Sequence, residues 1–328
     1  MKFSVLIFFL IVLILFSCKR NHEKDLNYIH LEQISKRLAS DLTNVEKDLL
    51  NAAQIIQHKI DFEKGIDWEK QHRYILNQNN VLSAQSDENN CAVFLPSGIE
   101  VTQKLKKTII NSEPIDTLLI DICYKNRIVN QVYFLDTNSF LRIFPYINVG
   151  KQFLPTIRLT EFNTYKTIAS KPFFENKAYW INDPYADPSG RGWIISCVSP
   201  LYYHDQFFGI ISADIMLKSI CEKHLSSESE MFIIINTNGE LLSCTKKAAS
   251  FLKIPLKNDY PYYKPFTEDI FLSGNPSLLN SHKKNIRKAV KSLIQGKNMV
   301  ELIYESNKTI IYSSKIKETN WLLLKIIN

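Results

Sequence analysis

No Gly-x-Ser-x-Gly elbow and no glycine-rich phosphate loop occurs in these 328 residues, which removes the local signatures of a serine hydrolase and of a nucleotide-binding loop. The seven histidines are scattered and assemble no zinc site. Of six cysteines, five lie beyond residue 18: Cys91, Cys123, Cys197, Cys221 and Cys244. That number is odd, no two stand at metal-ligand spacing, and their neighbours are mostly apolar. Each reads as a buried thiol, with one disulfide allowed in an oxidising compartment. No cysteine–histidine pair makes a nucleophile. The sequence therefore gives no reason to assign a catalytic residue, a metal or a cofactor.

Charge of one sign is missing too. The formal net charge is +7, but Asp and Glu are interleaved with Lys and Arg, which argues against a nucleic-acid partner. The one basic cluster, Lys283, Lys284, Arg287, Lys288 and Lys291, sits at helical spacing beside Ile286, Val290 and Ile294. It reads as the solvated face of a helix before it reads as a lipid-headgroup contact. Hydrophobic residues at 45% and charged residues at 22% are ordinary for a globular chain.

A long apolar run is also lacking. The longest, Phe3 to Phe16 after Lys2, holds 14 residues, short of the ~20 that span a bilayer and fitting a signal-peptide core. Leu15-Phe16-Ser17-Cys18 resembles a lipobox, so residues 1–18 are expected to be a lipoprotein signal peptide with Cys18 as the lipidated residue. An uncleaved signal anchor is the rival. Either reading places the bulk of the chain outside the cytoplasm, in the cell envelope.

Beyond Cys18 the chain is patterned. No Gly or Pro interrupts Leu26 to Ile60, where Leu31, Ile34, Leu38, Leu42, Val45, Leu49 and Ile56 recur at three- and four-residue steps. This predicts a tether and one amphipathic helix over residues 19–62, its uninterrupted part ~50 Å long. Its stripe has two readings, packing on the same chain or a homodimer seam. Short helices are expected over Val101–Asn111 and Ile115–Cys123. A hairpin is expected from Ile128–Phe134 to Phe140–Phe144, and further strands at Tyr179-Trp180, Gly192–Tyr203 and Gln206–Met216. After Ser219, Phe232–Ile235 turns at Asn238-Gly239 into Glu240–Leu242. A helix over Lys284–Gln295 stops at Gly296, and three strands finish the chain. The sum is α+β: a long N-terminal helix, then two PAS-like antiparallel modules at residues 63–218 and 219–328. No second membrane segment and no output domain is read after the last strand.

The most informative stretch runs from Glu161 to Asp214. A turn-rich segment gathers Asn163, Tyr165, Trp180, Tyr185 and Asp187, and a hairpin broken at His204-Asp205 ends on Asp214. Aromatic walls with a few placed acids suit a small-ligand pocket. Together with Val132–Leu135, Leu141–Pro145, Pro200-Leu201-Tyr202, Gly209–Asp214 and Asn320–Leu324, this stretch resembles the double Cache sensor domain of bacterial chemoreceptors and histidine kinases, over roughly residues 25–328.

The resemblance implies a membrane-distal module at residues 63–218 that binds a small molecule, and a membrane-proximal one at residues 219–328. In amino-acid-binding members an arginine and a tryptophan precede the tyrosine matched by Tyr165, and the arginine clamps the ligand carboxylate. Here those two places hold Phe162 and Thr164, while Tyr165, Tyr185, Asp187 and Asp214 are kept. That pattern suits an amine or another cation. Arg142 or Arg158 could replace the clamp from another direction. The expected ligand-binding set is thus Tyr165, Tyr185, Asp187, Asp214, Asn163, Trp180 and Arg142, each of which could instead be structural. The functional expectation is a sensor lipoprotein, not an enzyme, signalling through an envelope partner. A structural or adhesive envelope lipoprotein with a non-binding fold is the alternative, and a glycosidase using two carboxylates a distant third.

Overall fold

The computed structural model describes residues 2–84, 90–171, 177–226, 229–253 and 277–328, with the side chains of residues 2–25 and of Asn163 outside that description. Cys18 and the expected leader thus fall beyond what can be described of side chains. Among the described residues no helix is long and apolar enough to cross a membrane. The chain divides into two compact units. One takes its described residues from within Ser40–Lys223; the other takes its own from within Met1–Ala39, His224–Pro255 and Asn275–Asn328.

Helix α1 (Lys2–Lys59) is the element the three- and four-residue apolar spacing predicts. Leu31, Ile34, Leu38, Leu42, Val45, Leu49 and Ile56 are all buried within the chain. The stripe is therefore consumed by intrachain packing, and these residues are not exposed to form a dimer seam. His58 and Lys59 in the last turn complement the negative end of the helix dipole.

The unit holding Ser40–Lys223 is built on one antiparallel sheet. Its elements in chain order are β1 (Tyr74–Leu76), β2 (Leu82–Ala84), β3 (Ala92–Leu95), α2 (Gln103–Asn111), α3 (Ile115–Lys125), β4 (Gln131–Asp136), β5 (Leu141–Phe144), α4 (Val149–Gln152), α5 (Asn163–Ala169), β6 (Tyr179–Ala186), β7 (Trp193–Tyr203), β8 (Gln206–Met216) and α6 (Leu217–His224). The spatial order is β1-β2-β3-β5-β4-β8-β7-β6. Eight strands stand where five were expected, because β1, β2 and β3 are three or four residues long and carry no alternation to read.

Turn chemistry sets the register. His204 and Asp205 both take positive φ, 49° and 60°, the two-residue geometry that closes β7 onto β8 without splaying it. Between β4 and β5, Asp136 Oδ1 accepts the backbone N–H of Asn138 at 2.7 Å and of Phe140 at 2.8 Å. Gly209 pairs with Asp136 where β4 and β8 approach closely. A Cβ there would run into the Leu135 carbonyl oxygen, so only glycine fits.

The other unit carries α7 (Lys246–Leu252), α8 (Lys284–Ile294) and a sheet of β9 (Met231–Ile235), β10 (Leu241–Cys244), β11 (Met299–Tyr304), β12 (Asn307–Ile316) and β13 (Trp321–Ile327), ordered β10-β9-β13-β12-β11. The Asn238-Gly239 turn is present, with Gly239 at φ 71°. Asn236 Oδ1 holds it by accepting from the N–H groups of Asn238 and Glu240, both at 3.0 Å. Helix α8 buries Ile286, Ala289, Val290 and Leu293 and leaves Lys283, Lys284, Lys288 and Lys291 exposed. It stops at Gly296, φ 101°, where an L side chain would be strained.

Candidate functional site

The eight-stranded sheet alternates its side chains between two faces. On one face, Gln131, Tyr133 and Leu135 of β4, Leu141 and Ile143 of β5, and Ile210 and Asp214 of β8 line a cavity of about 60 Å³. Helix α5 and the residue before it close that face with Phe162, Thr164 and Tyr165. Tyr185, Asp187, Pro188 and Ser189 complete the wall where β6 turns back toward β7.

That turn is built around Asp187. Its backbone N–H donates to the Gly192 carbonyl at 2.9 Å, and Gly190, φ 82°, donates to the Asp187 carbonyl at 2.8 Å. The side chain of Asp187 accepts from the N–H of Ser189 at 2.8 Å and of Arg191 at 3.2 Å. The turn-fixing role and a place in the cavity wall therefore belong to the same residue.

Asp187 and Asp214 are both 1% exposed. Nε2 of Gln131 joins them, 3.1 Å from Asp187 Oδ1 and 2.5 Å from Asp214 Oδ2. Asp214 Oδ1 takes further donors from Ser196 at 2.5 Å and Ser212 at 3.2 Å, and the Ser196 hydroxyl in turn meets Tyr185 Oη at 2.6 Å. The Ser189 hydroxyl lies 2.6 Å from Asp187 Oδ2 and 2.7 Å from Gln131 Oε1. Every one of these donors is neutral. Burial, with the neighbouring Asp187 charge behind it, pushes Asp214 up to about 7 against the pull of its three hydrogen bonds.

At the α5 wall the phenolic oxygen of Tyr165 is buried with no hydrogen-bond partner among the described residues. Burial and the Asp136 charge raise its pKa well above the usual range for a phenol. An orphaned buried hydroxyl in a cavity wall is costly unless something else reaches it.

Of the seven expected residues the structure brings four to the cavity: Tyr165, Tyr185, Asp187 and Asp214. Asn163 opens α5, and its side chain lies outside the described residues. Trp180 and Arg142 are corrections. Trp180 pairs with Cys197 on the face of β6 and β7 away from Ser196, and its indole N–H donates to Glu46 at 3.4 Å. Arg142 sits between Leu141 and Ile143, so alternation turns it to the far face of β5. There it is fully buried and ion-paired to Asp116 at 3.0 Å. Arg158 donates to the Ser97 carbonyl at 3.1 Å and does not line the cavity. Among the described residues no arginine, lysine or histidine lines it at all.

Sequence reasoning missed Gln131, Ser189, Ser196 and Ser212. The available signal was register: Ser196 and Gln131 both pair with Asp214 across β8, and Ser212 precedes it by two on the same face. Among the described residues no group of three or more His, Cys, Asp or Glu side chains could hold a metal ion.

No protein-family model matches the chain, and no curated protein matches it. Solved structures do. The extracellular domain of soHK1S-Z6, described as a histidine kinase, is 13% identical over 92% of this chain and 96% of its own, with a TM-score of 0.53. The sensory domain of the Campylobacter jejuni chemoreceptor Tlp3 with isoleucine bound is 10% identical over 92% and 90%, TM-score 0.52. The ligand-binding domain of the Pseudomonas fluorescens chemoreceptor CtaA with L-alanine is 14% identical over 94% and 96%, TM-score 0.51. Two of these neighbours are the sensory or ligand-binding domains of chemoreceptors and the third is an extracellular domain of a kinase. The fold of this chain, a long helix with two antiparallel sheets, is the double Cache fold.

Proposed function

We propose that this chain is an extracytoplasmic sensor lipoprotein, tethered to the envelope by lipid on Cys18, whose module at residues 63–218 captures a small organic cation. The module at residues 219–328 lies on the membrane side, and occupancy is relayed to a partner protein in the envelope. The observation that carries the reading is the buried pair Asp187 and Asp214 in the wall of a cavity with no basic side chain among its described lining residues.

Two buried carboxylates served only by neutral donors make a strongly negative site, and a cation is the missing partner. Tyr133, Tyr165, Tyr185 and Phe162 line the same space, and aromatic faces add cation–π attraction of ~0.5–2 kcal/mol. Isoleucine is bound in Tlp3 and L-alanine in CtaA. A zwitterion entering this cavity would set its ammonium on the acids and leave its carboxylate without a guanidinium. An amine carries no such penalty. A volume of about 60 Å³ takes on the order of five water-sized groups, which suits a short alkyl amine.

Matched pairs test this: alanine against ethylamine, and valine against isobutylamine, scored by thermal shift of the full chain. A ligand at 100-fold excess over its dissociation constant adds ~2.7 kcal/mol. The amine of each pair should stabilise more. A larger shift with the amino acid would reveal a carboxylate clamp, and no shift with any member would favour the structural or adhesive role.

A further inference from the structure

We infer that the Asp187–Asp214 pair is a proton–cation exchanger: the free site holds one proton between its two carboxylates, and an entering cation displaces that proton into solvent. The inference rests on the cavity being a cation site and adds how that site is regulated.

The geometry supplies the reason. Two carboxylates, each 1% exposed, converge on a single amide nitrogen, Nε2 of Gln131 on β4. The groups facing them come from every neighbouring element and bring no positive charge. β8 contributes Ser212 and β7 Ser196, while Tyr185 of β6 acts through Ser196. The turn contributes Ser189 and two backbone N–H groups. Tyr133 of β4 and Tyr165 of α5 share the cavity wall, and Cys197 of β7 is on the opposite face. Arg191 is the one cation of that turn. Its guanidinium is spent on the carbonyls of Asn130 at 2.6 Å and Pro145 at 3.2 Å, and only its backbone N–H reaches Asp187. Like charges this close in a buried place do not both ionise cheaply, so one proton belongs to the pair. The rise of Asp214 to about 7 agrees.

A self-contained acid pair would need nothing more. Here Tyr165, 7% exposed, sets into the same cavity a hydroxyl with no partner among the described residues, which marks the space as one for a ligand. The exchange balances. The free site carries two carboxylates and one proton, charge −1; the occupied site carries two carboxylates and one monocation, charge −1 again. The proton goes to water, and no net charge is added to the interior, where it would be expensive. Affinity for the cation therefore falls in acid, about tenfold per pH unit below the titration of the pair, and is level above it.

The test uses isobutylamine and the full chain. Calorimetry in two buffers of different ionisation enthalpy counts protons: nearly one should leave per cation bound at about pH 6 and close to none at about pH 8.5. Carboxyl carbon-13 titration of the ligand-free chain should show one aspartate ionising near neutral pH that vanishes in Asp214→Asn and persists in Asp136→Asn. Isobutylamine binding with equal affinity and no proton release at both pH values would overturn the exchange and leave the cation reading standing. No binding of isobutylamine or ethylamine even at about pH 8.5 would remove the cation reading, and the exchange with it.

Discussion

Gln131 and Asp214 are register partners across the ladder of β4 and β8, and the Gln131 amide nitrogen lies 2.5 Å from Asp214 Oδ2. Because the same nitrogen also reaches Asp187, a strand residue fixes the separation of two acids that arrive from different parts of the chain. Gln131→Leu keeps the apolar volume and removes the shared donor. Two buried carboxylates then lose a partner each, and the domain should lose about 1–3 kcal/mol. Urea denaturation with and without isobutylamine checks this: the cation should recover part of the loss. An unchanged midpoint would mean that Gln131 bears no load in the site.

Asp214→Asn should weaken amine binding by well over tenfold, more than about 1.4 kcal/mol, while the β4–β8–β7 ladder stays intact. Titration calorimetry reads the affinity, and far-ultraviolet circular dichroism reads the fold. Should the variant bind isobutylamine as wild type does, the cation rests elsewhere.

Stability of the ligand-free chain should vary with pH in the direction opposite to ordinary acid denaturation. Burial raises Asp214 to about 7 and Asp136 to about 6, against an unfolded value of ~3.9. Between those values the folded chain binds more protons than the unfolded one, so the contribution of these groups to stability falls as pH rises. Each pH unit crossed costs about 1.4 kcal/mol per group, and the loss is complete above the folded value. Comparing urea midpoints near pH 5 and near pH 7.5 in wild type and Asp214→Asn isolates the effect. The variant should show the shallower dependence.

Much of this was legible in the chain. The His204-Asp205 and Asn238-Gly239 turns, the α1 stripe and the Gly296 stop announce themselves because each is local chemistry. Strands β1 to β3 do not, since three or four residues carry no period. The site was half legible for a related reason. Asp187 and Asp214 came through the family pattern, but which face a strand residue takes depends on register, and register depends on partners. Trp180 falls on the wrong face by simple alternation: it stands one residue from Ile181, which pairs with Ser196 on the cavity side, and so turns away with Cys197. Nothing local in the sequence singles out Gln131; it joins the site only once β8 is placed beside β4.

If Cys18 carries the lipid, Cys18→Ala should move the protein from the detergent phase to the aqueous phase on phase partition. The mature wild-type chain should begin at Cys18, which intact-mass measurement shows directly. A retained leader with unchanged partitioning would instead identify an uncleaved anchor.

Arg142 offers the sharpest separation of structure from recognition. Its Nε donates to Ser112 at 2.8 Å, Nη1 to both oxygens of Asp116 at 3.0 and 3.2 Å, and Nη2 to Tyr74 Oη and the Ile109 carbonyl. Arg73 holds the same Asp116 from its other side at 2.5 Å. One guanidinium thereby ties β5 to α2, α3 and β1 on the sheet face away from the cavity. Arg142→Met strips partners from a buried carboxylate, two hydroxyls and a carbonyl, and should cost about 3–5 kcal/mol. Arg142→Lys should be nearly as damaging, because a single ammonium cannot match a planar fork with four partners. Neither change should alter the preference of the folded protein for isobutylamine over valine, since Leu141 and Ile143, not Arg142, face the ligand space. Urea midpoints measure the first claim and paired calorimetric titrations the second. A variant that folds normally yet reverses the amine preference would put the guanidinium back in contact with the ligand.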